Sequence, residues 1–166
     1  MFSLRDKYAL AGIGWTAFSK SSGRTVRSLA SEATLKAIDD AGLKVSDIDG
    51  FVSFNFNDSV PAIAVATEIG VPAAGYAVDF LGGGNAANLI IRTAIAAIEA
   101  GLAKNVVCYR AMNGRSGFRL GGGRELAAHG ITQYTAPFGW ITYPQAMAMW
   151  CRRHMIEYGT TSEQLG

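Results

Sequence analysis

Three consecutive glycines, Gly82, Gly83 and Gly84, followed by Asn85, stand between a short apolar run, Tyr76 to Leu81, and a long apolar segment that opens at Ala86. That spacing suits chemistry on an anion or a carbonyl. Glycines at a strand-to-helix turn let other groups approach the backbone closely. The first N–H groups of the helix then lack partners within it and point at whatever sits above the turn. Such a turn can hold a nucleophile, an oxyanion or a phosphate. The residue at the tip of the strand is Leu81, whose side chain offers no nucleophile. Gly82, Gly84 and Ala87 also satisfy the Gly-x-Gly-x-x-Ala dinucleotide pattern. Arg110 stands near the end of the next strand, and an arginine there suits a 2′-phosphate. Three glycines that merely let a buried helix pack tightly produce the same pattern.

Further residues with chemical capacity follow downstream. Arg115, Arg119 and Arg124 space three guanidinium groups along a glycine-rich stretch, as a grip on phosphates would. Phe118, Tyr134, Phe138, Trp140 and Tyr143 make the same region aromatic, fit to cover an apolar body or to pack in an interface. The two histidines are His129, in that region, and His154, on a helical stretch where a surface or partner-facing role is the simpler reading. Asp79, two residues before Leu81, is either a functional buried carboxylate or an acceptor for backbone N–H groups. Cys108 and Cys151 are too few and too far apart for a disulfide scaffold or a zinc site, and both read as buried thiols. No metal-ligand cluster, serine nucleophile elbow or phosphate-binding lysine loop is present in the sequence.

The elements that must position these residues are legible in the periodicity. The chain has 166 residues, enough for one domain with a sizeable core. Strands are expected at Tyr8 to Ile13, Gly50 to Phe56, Tyr76 to Leu81 and Asn105 to Met112, the second with one face covered. Thr25 caps a helix that ends at Gly42, and Pro61 opens a short one ending near Gly70. Ala86 to Ala100 is apolar on nearly every face, as a buried central helix is. A further helix spans Tyr143 to Tyr158 and stops at Gly159. Residues 113–142 form a long loop insertion with a short helix at Glu125 to His129, and Ser162 caps a last turn. Alternation of strand and helix argues an α/β fold with a mostly parallel sheet.

Charge and composition exclude other classes. Fifteen basic against thirteen acidic side chains give a net charge of +2, with no run that resembles a nucleic-acid footprint. The apolar Ala86 to Ala100 stretch carries too many polar interruptions for a membrane span. The amino terminus lacks the apolar core of a secretory signal, so a cytoplasmic location is expected. Hydrophobic residues at 49% and charged ones at 17% suggest that a partner or further chain covers some surface.

The run from Gly75 to Gly101, with the strand of Val106, Val107 and Cys108 after it, resembles the centre of the amino-terminal half of a thiolase. The resemblance is closer to the lipid-transfer-protein branch, the sterol-carrier-protein thiolase relatives that include acyl-CoA aldolases of steroid side-chain breakdown. It implies that residues 1–166 are one amino-terminal thiolase-like domain, truncated before a second half. Thiolases carry their nucleophilic cysteine where this chain has Leu81. The resemblance therefore implies aldolase-type cleavage of a steroid or other β-hydroxyacyl-CoA, with the fragment itself inactive. The alternatives are an acyltransferase, or a non-catalytic acyl-CoA carrier or scaffold. It further implies a substrate-binding set of Leu81, Gly82, Gly83, Gly84, Asn85, Arg115, Arg119 and His129, with no catalytic residue in this part. CoA enters as a substrate thioester and no separate cofactor is implied. The implied partners are a second copy in a homodimer and an OB-fold, zinc-ribbon protein.

Overall fold

The computed structural model describes residues 4–56, 58–117 and 130–165. Two compact units divide the chain, one running to Arg119 and one from Leu120 onward.

In the first unit three strands form a parallel sheet, β1 (Gly50–Asn55), β2 (Tyr76–Leu81) and β3 (Val106–Tyr109), in the order β2-β1-β3. Gly50 faces Tyr76 on one side and Val106 on the other, and Ser53 faces both Asp79 and Tyr109. β1 is buried from Gly50 to Phe54. The sequence reading of one covered face fails here because helices pack on both sides. On one side Phe51 packs with Ala30 and Ile38 of α1 (Val26–Asp40) and Val65 of α2 (Ala62–Glu68). On the other, Val52 and Phe54 pack with Ala86, Ile90 and Ala94 of α3 (Ala86–Glu99). α3 buries Ala86, Ile90, Ala94 and Ala97, while Ala87, Asn88, Arg92 and Ala96 are exposed on its other side.

Local chemistry sets the element ends. The Thr25 hydroxyl accepts the Ser28 N–H at 3.1 Å and opens α1. Gly42, at φ +66°, closes it while Leu43 N–H reaches back to Ile38 O at 3.0 Å. Asp49 accepts the N–H groups of Lys104 and Asn105 at 2.9 Å, fixing the start of β3 beside β1. Gly50 admits Val106 between the strands, since a Cβ there would lie 2.8 Å from Val106 Cγ2.

The strand expected at Tyr8 to Ile13 is not part of the sheet. Gly12 and Gly14 seat that backbone directly on α1, and no neighbouring strand pairs with it. Secondary structure in a strand needs a partner as well as a pattern.

In the second unit two 3₁₀ turns, Gly130–Tyr134 and Ala136–Phe138, precede α4 (Tyr143–Tyr158). The expected loop insertion thus carries turns in its later part. Gln145 Oε1 accepts the N–H groups of Ile141 and Thr142 at 2.8 Å, and Gly159 ends the helix at φ +68°. The last expected helix is a 3₁₀ turn at Glu163–Leu165. The helix expected at Glu125 to His129 lies outside the described residues.

Candidate functional site

The glycine turn joins the carboxyl end of β2 to α3. Ligands of open α/β sheets bind outside the carboxyl ends of the strands. Leu81 is 77% exposed, on the same outward parity as Ala77 and Asp79. Gly82 is half-buried, and a Cβ there would touch Ala86 Cβ at 3.0 Å, which explains the glycine. Gly83, Gly84 and Asn85 are exposed, with nothing within 4 Å of a Cβ built at Gly84. The turn is open ground rather than an enclosed pocket.

The helix start is less free than the sequence suggests. Ala86 N–H donates to Gly83 O at 3.0 Å and Asn88 N–H to Asn85 O at 3.2 Å. Two of the first amide groups of α3 are therefore already engaged. Asn85 holds no amide with its side chain.

Beside the turn, Asp79, Ser53 and Tyr109 form one row across the three strands. Asp79 Oδ1 accepts the buried Ser53 hydroxyl, and also Ala62 N–H at the start of α2 at 2.7 Å. The carboxylate is exposed rather than buried, and it accepts a backbone N–H as the simpler sequence reading held. Tyr109 donates its hydroxyl to Val60 O at 2.8 Å. Burial, and then the negative charge of Asp79, push its phenol well above the usual tyrosine range. These links hold the loop between β1 and α2 over the carboxyl ends of the strands.

Arg115 lies in a turn after β3, where Ser116 and Gly117 both donate to Asn113 O at 2.9 Å, and it is exposed. β3 and β2 flank β1 on opposite sides, so Arg115 and the glycine turn leave the same end of the sheet from strands that are not adjacent. Arg119 and His129, with Phe118 and Arg124, lie outside the described residues. Arg110 stacks its guanidinium 4.1 Å from the centre of the Phe54 ring. His154 is exposed on α4 with its ring 4.8 Å from that of Tyr158. Cys108 is half-buried, and burial pushes its thiol up to about 11, so it is a poor nucleophile at neutral pH. Cys151 is half-buried as well. Among the described residues no group of His, Cys, Asp or Glu could hold a metal ion, and no helix is long and apolar enough to cross a membrane.

Sequence reasoning missed a polar cluster after β3. Asn113 N–H donates to Asp58 Oδ2 at 2.8 Å, its Nδ2 donates to Arg24 O at 2.7 Å, and Ser22 Oγ donates to its Oδ1 at 2.9 Å. It joins segments some ninety residues apart, so no local signal reveals it. The cluster borders a cavity of about 380 Å³ among Trp15, Phe18, Leu29 and Arg110.

No family model matches the chain. The chain is 45% identical to the steroid side-chain-cleaving aldolase of Thermomonospora curvata, across 95% of this chain and 42% of that protein. It is 37% identical to the 17-hydroxy-3-oxo-4-pregnene-20-carboxyl-CoA lyase of Mycobacterium tuberculosis, across 98% of this chain and 44% of that protein. Among solved structures it superposes on the Ltp2-ChsH2(DUF35) aldolase with a TM-score of 0.77 and 45% identity, covering 93% of this chain and 39% of that one. It also superposes on the monomeric SCP2-thiolase-like protein type 1 of Mycobacterium smegmatis, with a TM-score of 0.52 and 25% identity over 62% of this chain and 23% of that one. The chain spans about two fifths of the length of the curated relatives it matches. Its fold is thiolase-like, and its homologues include a steroid side-chain-cleaving aldolase and a CoA lyase.

Proposed function

We propose that this chain is the amino-terminal thiolase-like part of an aldolase that cleaves the side chain of a steroid, or another β-hydroxyacyl group, held as a CoA thioester. The observation that carries the reading is the glycine turn between the carboxyl end of β2 and α3, with Leu81, which offers no nucleophile, at its tip. Cleavage of a β-hydroxyacyl thioester needs no nucleophile. A base takes the proton of the β-hydroxyl, the bond between the α and β carbons breaks, and its electron pair passes into the thioester enolate. An acid then protonates the α carbon, leaving a ketone or aldehyde and a shortened acyl-CoA. The homologues' names support this chemistry, one of them joining a hydroxylated steroid to a CoA thioester.

In this reading Leu81 offers an apolar wall to the acyl body, while Gly82, Gly83, Gly84 and Asn85 let the thioester approach the start of α3. Arg115, Arg119 and Arg124 serve the CoA phosphates, and His129 contributes to substrate binding. The acid and base are supplied from outside these 166 residues, and this part alone does not turn over. CoA is substrate and no other cofactor is used. A homodimer, a cytoplasmic location and an OB-fold, zinc-ribbon partner complete the proposal. The DUF35 protein named with the neighbouring aldolase favours such a partner.

The test is product analysis by mass spectrometry, on the full-length protein to which this part belongs, alone and co-expressed with a DUF35 protein. The probe is 17-hydroxy-3-oxo-4-pregnene-20-carboxyl-CoA, with acetoacetyl-CoA plus CoA as the second arm. A 17-ketosteroid with a shortened acyl-CoA, in the co-expressed arm, is the expected result. Thiolysis of acetoacetyl-CoA instead refutes the role given to Leu81. Tight acyl-CoA binding with neither product replaces the enzyme by a carrier.

A further inference from the structure

The polar cluster around Asn113 takes no part in the chemistry proposed for the glycine turn. Residues 58–60, between β1 and α2, are fastened to the chain leaving β3 at every second residue. The Tyr109 hydroxyl donates to Val60 O, the Ser59 hydroxyl to Ala111 O and Asn113 N–H to Asp58 Oδ2, each at 2.8 Å. The exit from β3 is therefore a strap tied down along its length, where a free loop would leave such groups to water.

Asn113 ends the strap, and all of its polar groups are engaged. Its N–H is on Asp58, and its carbonyl accepts the Ser116 and Gly117 N–H groups at 2.9 Å. Its Oδ1 accepts the Ser22 hydroxyl at 2.9 Å, and its Nδ2 donates to Arg24 O at 2.7 Å. Ser22 N–H in turn donates to Ser116 Oγ at 2.8 Å, so the turn is gripped on both sides of Arg115. The far anchor is tied as well. Arg24 stands just before the Thr25 cap of α1, its guanidinium bonded to Glu32 and to Ser28 O, the latter at 3.0 Å. Arg115 itself is exposed and has no acceptor, carboxylate or ring partner among the described residues, whereas Arg24 is on Glu32, Arg27 on Glu68 and Arg110 on Phe54. A merely solvated arginine needs no such mounting. A fixed backbone under a free guanidinium is what a preorganised grip on an anion requires.

We propose that Asn113 is a positioning residue for CoA, fixing the turn of residues 113–117 so that Arg115 is set for the phosphates before the thioester arrives. Asn113 touches no substrate; it acts through Arg115, with Ser22 as its support. The inference rests on the assignment of Arg115 to the CoA phosphates and goes beyond it by naming what sets the place of that side chain. A side chain that must be ordered on binding costs affinity, roughly two- to tenfold for each one immobilised. Removing the mount moves that cost from folding to binding.

Calorimetric titration with CoA tests it, on the full-length protein to which this part belongs, with Asn113→Ala, Arg115→Ala and the double variant. Arg115→Ala is expected to weaken CoA about tenfold and Asn113→Ala about fivefold. Because Asn113 acts through Arg115, the double variant should bind no more weakly than Arg115→Ala alone. Losses that multiply would separate the two residues, and a lowered Tm with unchanged CoA affinity would make Asn113 structural only; either result overturns the proposal. An unmodified protein with no affinity for CoA, or an Arg115→Ala variant with full affinity, refutes the assignment of Arg115 and takes the proposal with it. Ser22→Ala removes one hydroxyl from the mount and keeps Asn113, so it should weaken CoA about twofold, an effect that Ser22→Thr restores and that is absent in the Arg115→Ala background. If Asn113→Ala does not fold, this series decides, and unchanged affinity in Ser22→Ala overturns the mount.

Discussion

Replacing Asp79 by alanine strips two donors of their acceptor at once. The Ser53 hydroxyl is fully buried and would lose its carboxylate acceptor, keeping only the Tyr109 hydroxyl beside it, at a cost of about 1–3 kcal/mol. Ala62 N–H, at the start of α2, would lose a side-chain acceptor of the kind that caps helices, worth ~0.5–2 kcal/mol. Water can reach Asp79 and will recover part of this, so a total of about 2–3 kcal/mol is expected. With a urea m-value near 2 kcal/mol/M, the unfolding midpoint falls by about 1–1.5 M. The decisive control is the pair. Ser53→Ala removes the donor that Asp79→Ala orphans, so the double variant should be more stable than the sum of the singles predicts, by about 1 kcal/mol or more. Urea unfolding followed by circular dichroism supplies all four values. Additive losses, or a drop below ~0.5 kcal/mol for Asp79→Ala, would refute the row of side chains as a structural support.

Three further outcomes can be checked on the same material. Gly12→Ala drives a methyl into Ala37 O and Ala41 N, both backbone atoms that cannot swing aside, and should cost about 1–3 kcal/mol, read as a fall of several degrees in Tm. Gly84→Ala meets nothing within 4 Å and serves as the neutral control, expected within ~0.5 kcal/mol. Cys108 is held neutral in the fold up to about 11, against 9.0 unfolded. The unfolded chain therefore releases this proton first, so the contribution is intact below 9.0 and is lost as pH rises to about 11. Stability should decline across that window by ~1.4 kcal/mol per pH unit on this account. Cys108→Ala should remove that part of the decline in unfolding free energies measured from pH 8.5 to 11, and an unchanged slope would refute it.

What was legible in the sequence is what neighbours in the chain decide. Thr25 and Gly42 bracket α1, Gly159 stops α4, and Tyr76 to Leu81 with three glycines yields β2, the turn and the start of α3 where the pattern puts them. Such signals are written in backbone freedom and capping chemistry within a few residues. The polar Ser53 misled for the opposite reason. A hydroxyl at the middle of β1 reads as an outward position, yet it is buried because a carboxylate twenty-six residues away stands beside it in register. Burial of a polar group is a property of the pair.

The candidate site divides along the same line. The glycine turn was visible as a turn, but that its amides are partly engaged by Gly83 and Asn85 is a matter of carbonyl geometry that side-chain identity does not carry. The segment Tyr8 to Ile13 shows the sharpest form of the problem. Its composition is that of a strand and its backbone is extended on α1, yet no strand pairs with it. Propensity specifies a conformation, while a sheet also requires an edge at hydrogen-bonding distance, and a cavity of about 190 Å³ lies between residues 9–12 and β3.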